Sequence, residues 1–282
     1  MKKIVFGILA SVLCYGITSC DEKLESGEYT YTLEVPTSIE ETEGEVTTTT
    51  YYEWNADGSP KAQKQMRGAE LVYQDADYTY EPFGLTYRRT YYQDGAAEKV
   101  LLIETRYLYT GWTGLYSTKM YSEEGGSKTL VEREENIYTD QLLSGYVHEK
   151  DNQKLVERTD YLYGSNSLSY IEQGTAVEGR NKVTITYLSF EYGMMSEVVT
   201  AKADDPAVIV SRKKYLYSAE GVFKGYELYE GDTERLIEAQ TDYTTTADKI
   251  TYTTTWYDAT GTATRQLKTV HNTTTLTITV VY

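Results

Sequence analysis

The fold is decided by residues 212–239, RKKYLYSAEGVFKGYELYEGDTERLIEA. Tyr215 and Tyr217 are two residues apart, so both rings lie on one face of an extended chain, whereas a helix would scatter them. Turn residues follow at 218–221 and again at 230–232, and each turn contains a glycine that can adopt positive φ. The stretch therefore predicts consecutive antiparallel strands joined by tight turns.

Variations of this stretch recur along the chain. Segments similar to Tyr-x-Tyr lie at Tyr107 and Tyr109, Ile137 and Tyr138, Tyr161 and Tyr163, Phe190 and Tyr192, and Tyr243. Several are separated by roughly 24 to 30 residues, a step typical of repeat architectures. We expect an all-β fold, a long antiparallel meander of Tyr-rich β-hairpin repeats forming one curled or twisted sheet. No linker divides it, so residues 28–282 are predicted to form a single domain.

The amino end has the pattern of an export signal. Two lysines follow Met1, and a short, largely apolar run extends to Ile17. Such a run is too short for a stable membrane span. The next residues, Thr18-Ser19-Cys20, resemble the bacterial lipobox. This resemblance implies that residues 1–19 are a lipoprotein signal peptide and that Cys20 is lipidated and anchors the chain to a membrane. The alternative is an ordinary signal peptide with an incidental cysteine.

The cysteines and the residues after them bear on location. Cys14 lies in the leader and Cys20 is the predicted acylation site, so the body has no thiol left to pair. It must then be held together by packing, or by lipid and partners, rather than by disulfides. Residues 20–27 are predicted to be the lipidated cysteine and a solvated tether. An acidic pair such as Asp21 and Glu22 resembles a surface-export signal in some Gram-negative lineages and a retention signal in others. We expect a lipid anchor in the outer membrane, with the leaflet left open.

Local patterns place the first strands and turns. Strands are predicted at residues 28–35 and 45–54, with an acidic loop at 36–44 between them. Residues 55–58 and 93–95 carry strong turn signals. Residues 276–282 alternate apolar and polar side chains, which is typical of a strand with one buried face.

Tyrosine dominates the composition, with 30 residues against four phenylalanines. A tyrosine buries a large ring and keeps its hydroxyl hydrated, so it suits a sheet whose face is only half covered. Cross-strand tyrosine pairs can then replace part of an aliphatic core. We expect lysine and glutamate to protect the sheet edges. The net charge of −16 disfavours nucleic acid as a partner.

Three segments carry a second resemblance: residues 51–58, 215–221 and 256–261, the last reading WYDATG. They resemble the YD repeats of RHS and teneurin-type proteins, in which hairpins wind into a shell around a cargo domain. The aspartate after tyrosine is usually missing here, and neither the Gly-Arg-Leu step nor a cargo domain is present. The resemblance implies hairpin repetition and no toxin shell.

The sequence offers few groups for chemistry. His148 and His271 lie far apart, so no metal site or histidine-based triad is predicted, and both are interpreted as surface or packing residues. Two carboxylates could be paired as in glycoside hydrolases, but no particular pair stands out. We expect no catalytic residue and no cofactor.

Trp54, Trp112 and Trp256 each lie beside a predicted turn, at corresponding hairpin ends where they could project from one rim. They are candidate ligand-binding residues, since exposed aromatic rings bind carbohydrate and form protein interfaces. Alternatively, each covers the end of its hairpin. The leading hypothesis is a non-enzymatic cell-envelope lipoprotein whose Tyr-rich sheet is a protein-binding or scaffolding surface. The alternatives are a carbohydrate-binding accessory lipoprotein and a glycoside hydrolase.

Overall fold

The computed structural model describes residues 28–282 except for 110–112, 125, 140–141, 151–153, 164–169, 178–179, 192, 203–204, 232 and 282. The predicted signal peptide, Cys20 and the tether lie outside these residues. The strands are β1 (Glu28–Glu43), β2 (Val46–Trp54), β3 (Pro60–Arg67), β4 (Glu70–Glu81), β5 (Gly84–Gln93), β6 (Ala96–Tyr109), β7 (Thr113–Glu124), β8 (Ser127–Thr139), β9 (Leu142–Lys150), β10 (Lys154–Tyr163), β11 (Tyr170–Val177), β12 (Arg180–Glu191), β13 (Met194–Lys202), β14 (Ile209–Tyr217), β15 (Phe223–Glu230), β16 (Leu236–Thr245), β17 (Lys249–Tyr257) and β18 (Ala263–Val281).

Each strand pairs antiparallel with the strands before and after it in sequence. In addition, β1 pairs with β18, so the sheet curls until its first and last strands lie side by side. This confirms the predicted all-β meander in one curled sheet. The backbone groups of β1 and β18 are hydrogen-bonded to each other along this pair. These two edges are therefore protected by strand pairing, whereas the sequence analysis expected charged side chains to protect them.

The predicted loop at residues 36–44 is wrong. β1 continues through it to Glu43, and residues 38–42 pair with β2 on one side and β18 on the other. These two sets of backbone hydrogen bonds outweigh the low strand propensity of the glutamates. A bulge between Pro36 and Ser38 accommodates the proline, which has no N–H to donate to a ladder.

The predicted turns form where glycine or aspartate can adopt positive φ. Gly221 has φ +79 and its N–H donates to the Ser218 carbonyl at 3.0 Å. Asp94 and Gly95 both have positive φ, which matches the hairpin turn with two left-handed residues. Gly58 has φ +80 in the turn after β2.

The Tyr-x-Tyr motif coincides with a recurring irregularity of the strands. Bulges lie between Leu216 and Tyr217, between Arg106 and Tyr107, and between Ile137 and Tyr138. Each bulge adds a residue next to a hairpin and increases the local twist. An aromatic residue of the motif therefore marks the point where each of these strands bends toward its turn.

Register assigns most of the buried side chains to one face, here called the tyrosine face. Thr50 opposes Gln65, which opposes Tyr73. Farther along the sheet, Arg89 opposes Asp75 and Leu101. Residues that oppose each other directly share a face of the sheet. The tyrosine face also holds the apolar cluster of Leu101, Ile103 and Met120, against which Tyr87, Tyr91 and Val131 pack.

The opposite face of the same strands is charged. Arg88 Nη2 lies 3.1 Å from Glu123 Oε2, and Lys128 Nζ lies 2.6 Å from Glu104 Oε1. Exposed pairs of this kind each contribute little to stability. This face is suited to contact with water.

The ends of β1 and β18 form a two-stranded ribbon that packs on the turn after β2. Residues 28–36 of β1 pair with residues 273–281 of β18. Val35 and Ile278 in this ribbon are only 2% and 3% exposed. A Cβ at Gly58 would lie 2.7 Å from Ile278 Cδ1, so the turn and the ribbon are in close contact.

No helix among the described residues is long and apolar enough to cross a membrane.

Gly225 in β15 is required by a close approach between strands. Its φ is +128, and a Cβ at this position would lie 2.0 Å from the carbonyl oxygen of Gln240. Neither the strained φ nor the backbone contact can be relieved by moving a flexible side chain. Gly44 has φ +61 with open space around it, so it shares the positive φ without the contact.

We expect Gly225→Ala to lower the free energy of unfolding by about 2–5 kcal/mol. About 1–2 kcal/mol comes from placing a Cβ residue at positive φ, and overpacking adds about 1–3 kcal/mol. Gly44→Ala should show only the first of these costs. Urea unfolding of both variants measures the difference, and equal midpoints would contradict the close approach.

Candidate functional site: the tyrosine face

A buried ion pair lies on the tyrosine face where β4 meets β5. Arg89 Nε donates to Asp75 Oδ1 and Arg89 Nη2 donates to Asp75 Oδ2, both at 2.6 Å. The two side chains are 2% and 0% exposed. This bidentate geometry suits the planar guanidinium. The pair fixes the register of β4 and β5, because a slip of one residue between them would place the two charges on opposite faces of the sheet.

The charge states of the pair follow from burial and hydrogen bonding. Burial raises the pKa of Asp75, although the hydrogen bonds from Arg89 act against this. Burial would lower the pKa of Arg89, but the hydrogen bonds with Asp75 and the nearby tyrosines raise it overall, so the guanidinium stays charged. A charged group with so little exposure depends on its partners for the solvation that water would otherwise supply.

Tyrosine rings surround this pair. The Arg89 guanidinium carbon lies 4.2 Å from the ring centroid of Tyr73, and the rings of Tyr78 and Tyr87 stack at 5.0 Å. Burial raises the pKa of Tyr52, Tyr78 and Tyr87, so these phenols stay neutral. The cluster combines cation–π attraction with ring packing in place of an aliphatic core.

A row of five aromatic rings crosses β14 to β18 on the tyrosine face, here called the aromatic ladder: Tyr217, Phe223, Tyr243, Tyr252 and His271. The successive ring centroids are 5.8, 4.8, 6.0 and 5.6 Å apart. All five side chains are half-buried. The ladder thus stabilises the pairing of five strands and leaves part of each ring accessible.

The ladder ends at a histidine that burial keeps neutral. Tyr252 Oη lies 3.1 Å from His271 Nε2, within hydrogen-bond distance. Burial lowers the pKa of His271. His271 therefore packs as an aromatic residue of the ladder, as the sequence interpretation expected for a packing histidine.

Polar groups lie beside the ladder. Lys213 Nζ sits 3.5 Å from the ring centroid of Tyr226, and Tyr226 Oη donates to Glu238 Oε1 at 2.5 Å. Burial lowers the pKa of Lys213 and, together with Glu238, raises that of Tyr226. This part of the tyrosine face offers an ammonium group, a carboxylate and aromatic rings within one patch.

Two of the predicted ligand-binding tryptophans, Trp54 and Trp256, do not share a rim. Trp54 closes β2 and Trp256 lies near the end of β17, and these strands run in opposite directions, so the two indoles lie at opposite ends of the sheet. Trp54 Nε1 donates to the Pro36 carbonyl at 2.7 Å, and the Arg265 guanidinium lies 4.4 Å from the Trp256 ring centroid. Trp112 lies outside the described residues. A ligand-binding role for these residues stays a prediction.

Sequence reasoning missed Asp75 and Arg89. A signal was present, because Asp75 lies two residues from Tyr73, and Arg89 lies two residues from both Tyr87 and Tyr91. In a strand such spacing places the charge on the same face as the aromatic rings. A charged residue in phase with a tyrosine stripe would therefore have indicated a buried charge.

Comparison with known proteins adds no family. No protein-family model matches the sequence, and no curated protein matches it at a significant level. Among solved structures, the chain is similar to a porin-like protein from Bacteroides uniformis ATCC 8492, with 11% identity and a TM-score of 0.40, over 85% of this chain and 96% of that one. A likeness at this level says nothing about what the present chain binds.

We expect Asp75→Asn to lower the free energy of unfolding by about 3–5 kcal/mol, because it leaves a buried guanidinium without its counter-charge. The double variant Asp75→Leu, Arg89→Met should recover much of this loss, since it removes both charges.

Arg88→Met and Glu123→Gln serve as matched controls on the adjacent, exposed pair, where a loss of at most about 1 kcal/mol is expected. Chemical unfolding of the five proteins, wild type included, measures these differences. An Asp75→Asn loss no larger than that of Glu123→Gln would show that the buried pair is unimportant.

Proposed function

We propose that this chain is a lipid-anchored protein of the outer membrane that binds another protein through the tyrosine face of its sheet and performs no catalysis. The observation that carries this proposal is the aromatic ladder, a row of five touching rings that are only half-buried. A surface built solely for folding would gain more from covering these rings completely.

The chemistry of the ladder favours a polypeptide partner. Tyrosine contributes a large, rigid contact area at low entropic cost and offers a hydroxyl for hydrogen bonding. Rings already packed against one another lose little freedom on binding, so little free energy is spent on ordering them. The patch of Lys213, Tyr226 and Glu238 beside the ladder supplies polar groups that give such an interface its orientation.

The ribbon at the ends of β1 and β18 suits an anchored protein. β1 begins at Glu28, directly after the tether predicted at residues 20–27. The ribbon packs on the turn after β2 through Ile278, and the Pro36 carbonyl accepts the Trp54 indole hydrogen bond. A lipid at Cys20 would therefore hold the sheet through a packed ribbon rather than through a flexible chain alone.

The two alternative functions have weaker support in the described residues. Carbohydrate binding through tryptophans needs accessible indole faces, and Arg265 lies over Trp256 while Trp54 is hydrogen-bonded to Pro36. Glycoside hydrolysis needs two carboxyl groups about 5–10 Å apart across a bound sugar. The proposal of protein binding needs neither arrangement.

Site-specific photo-crosslinking in intact cells tests the proposal. A benzophenone amino acid at Tyr243 or Tyr252 should give one discrete adduct with a second protein, of the same mass from both positions. The same group at Tyr51 or Leu216, which are 43% and 36% exposed and lie outside the ladder, is the control and should not give that adduct.

Adducts of equal yield from all four positions would indicate non-specific contact and contradict binding through the tyrosine face. Adducts absent from Tyr243 and Tyr252 would contradict it as well. An adduct that is digested by glycosidases but not by proteases would instead favour the carbohydrate-binding alternative.

The anchor has a separate test. Cys20→Ser should abolish incorporation of labelled fatty acid and release the protein from the membrane fraction, since one amino-terminal residue carries all of the acyl chains. Cys14→Ser, in the leader, is the matched control and should leave both unchanged. Retention of the Cys20→Ser protein in the membrane fraction after a high-salt wash would mean that another part of the chain holds it there.

A further inference from the structure

Three potential metal ligands converge on the tyrosine face where β8 pairs with β9. Glu134 directly opposes His148, and Glu132 opposes Lys150 one position along the same face. Directly opposed side chains in an antiparallel pair lie close together, and diagonal neighbours are within reach of long side chains. Strand register alone therefore places Glu134 opposite His148 and Glu132 diagonal to it.

The distances place these groups almost in contact. His148 Nε2 lies 2.8 Å from Glu132 Oε1 and 4.0 Å from Glu134 Oε1. One ligand atom from each of the three residues lies within 4.8 Å of the other two. The side chains of His148, Glu132 and Glu134 are only 16%, 23% and 24% exposed.

We propose that Glu132, Glu134 and His148 bind a divalent transition-metal ion of the zinc class. One imidazole nitrogen and two carboxylate oxygens form a mixed set that suits zinc, and water would complete its coordination. Ligand atoms around one zinc ion are about 3.3 Å apart, given bonds of about 2 Å in a tetrahedron. Small side-chain rotations bring the three atoms from their present separations to that distance, with no change in backbone register.

Binding requires two local exchanges. His148 Nε2 must give up its contact with Glu132 Oε1, 2.8 Å away, and present a lone pair to the metal. The ammonium of Lys150, whose Nζ lies 3.1 Å from Glu132 Oε1, must give up this contact. Lys150 thus competes with the metal for the Glu132 carboxylate. Removing the Lys150 ammonium should therefore strengthen metal binding, an effect that a plain ion-pair network would not show.

Zinc titration of the purified full-length protein, in detergent and without a histidine tag, tests the proposal. After chelator treatment, calorimetry should show one zinc ion per chain, and the thermal melting point should rise on zinc addition. His148→Gln and Glu134→Gln should each weaken zinc binding at least tenfold and reduce the thermal shift. Lys150→Met should tighten binding.

Glu135→Gln and Glu149→Gln are matched controls, since both residues lie on the same two strands but alternate with the ligands and contribute to the opposite face. They should bind zinc as the wild type does. The melting curve of each apo variant reports directly on its fold. Calcium is the comparison ion, and because it prefers oxygen ligands alone, it should not compete at equal concentration.

Absence of stoichiometric zinc binding by the wild type would overturn the proposal. So would a loss in Glu135→Gln equal to that in Glu134→Gln, or a Lys150→Met protein that binds no more tightly than the wild type. Calcium binding that survives His148→Gln would show an acidic patch rather than this site. None of these outcomes bears on the partner-binding role of the aromatic ladder, which lies on β14 to β18.

Discussion

Pairing between the first and last strands is the constraint on which the rest of the structure depends. Because β18 hydrogen-bonds to β1, the meander must curl. The tyrosine face of the curled sheet holds most of the buried side chains, among them Asp75, Arg89 and Ile103. This pairing brings together residues more than 200 positions apart, such as Arg265 and Glu43. Closing so long a loop costs conformational entropy, which the contacts made on folding must offset.

Tyrosine takes the place of an aliphatic core on that face. The apolar cluster around Ile103 is small, whereas ring contacts extend from Tyr52 to His271 across many strands. A ring with a hydroxyl can pack on a neighbour and still donate to a backbone carbonyl, as Tyr217 does to Met195 at 2.9 Å. Such a face tolerates partial exposure, which explains how one sheet can be stable and still leave aromatic rings accessible for binding.

Local chemistry predicted more of the fold than of the site. Tyr215 and Tyr217, with the turn at Gly221, were sufficient to predict strands, hairpins and meander order. The prediction of a loop at residues 36–44 was wrong because it weighed the low strand propensity of glutamate, while pairing to β18 depends on residues more than 200 positions away. The shared rim predicted for Trp54 and Trp256 was wrong because the relative direction of β2 and β17 depends on the number of strands between them, which local patterns do not give.

Long-range register is also what brings charged groups together. Asp75 meets Arg89, and Glu134 meets His148, because each pair is opposed across one antiparallel ladder. No local pattern connects the members of either pair, yet both follow once strand partners are known, since opposed positions share a face.

The two pairs differ in exposure. The first is sealed by tyrosines and serves to hold register, whereas the second keeps about a fifth of its surface open and retains competing ligands for one cation. Burial therefore separates a charge pair that stabilises the sheet from one that is able to exchange its partner for a metal ion.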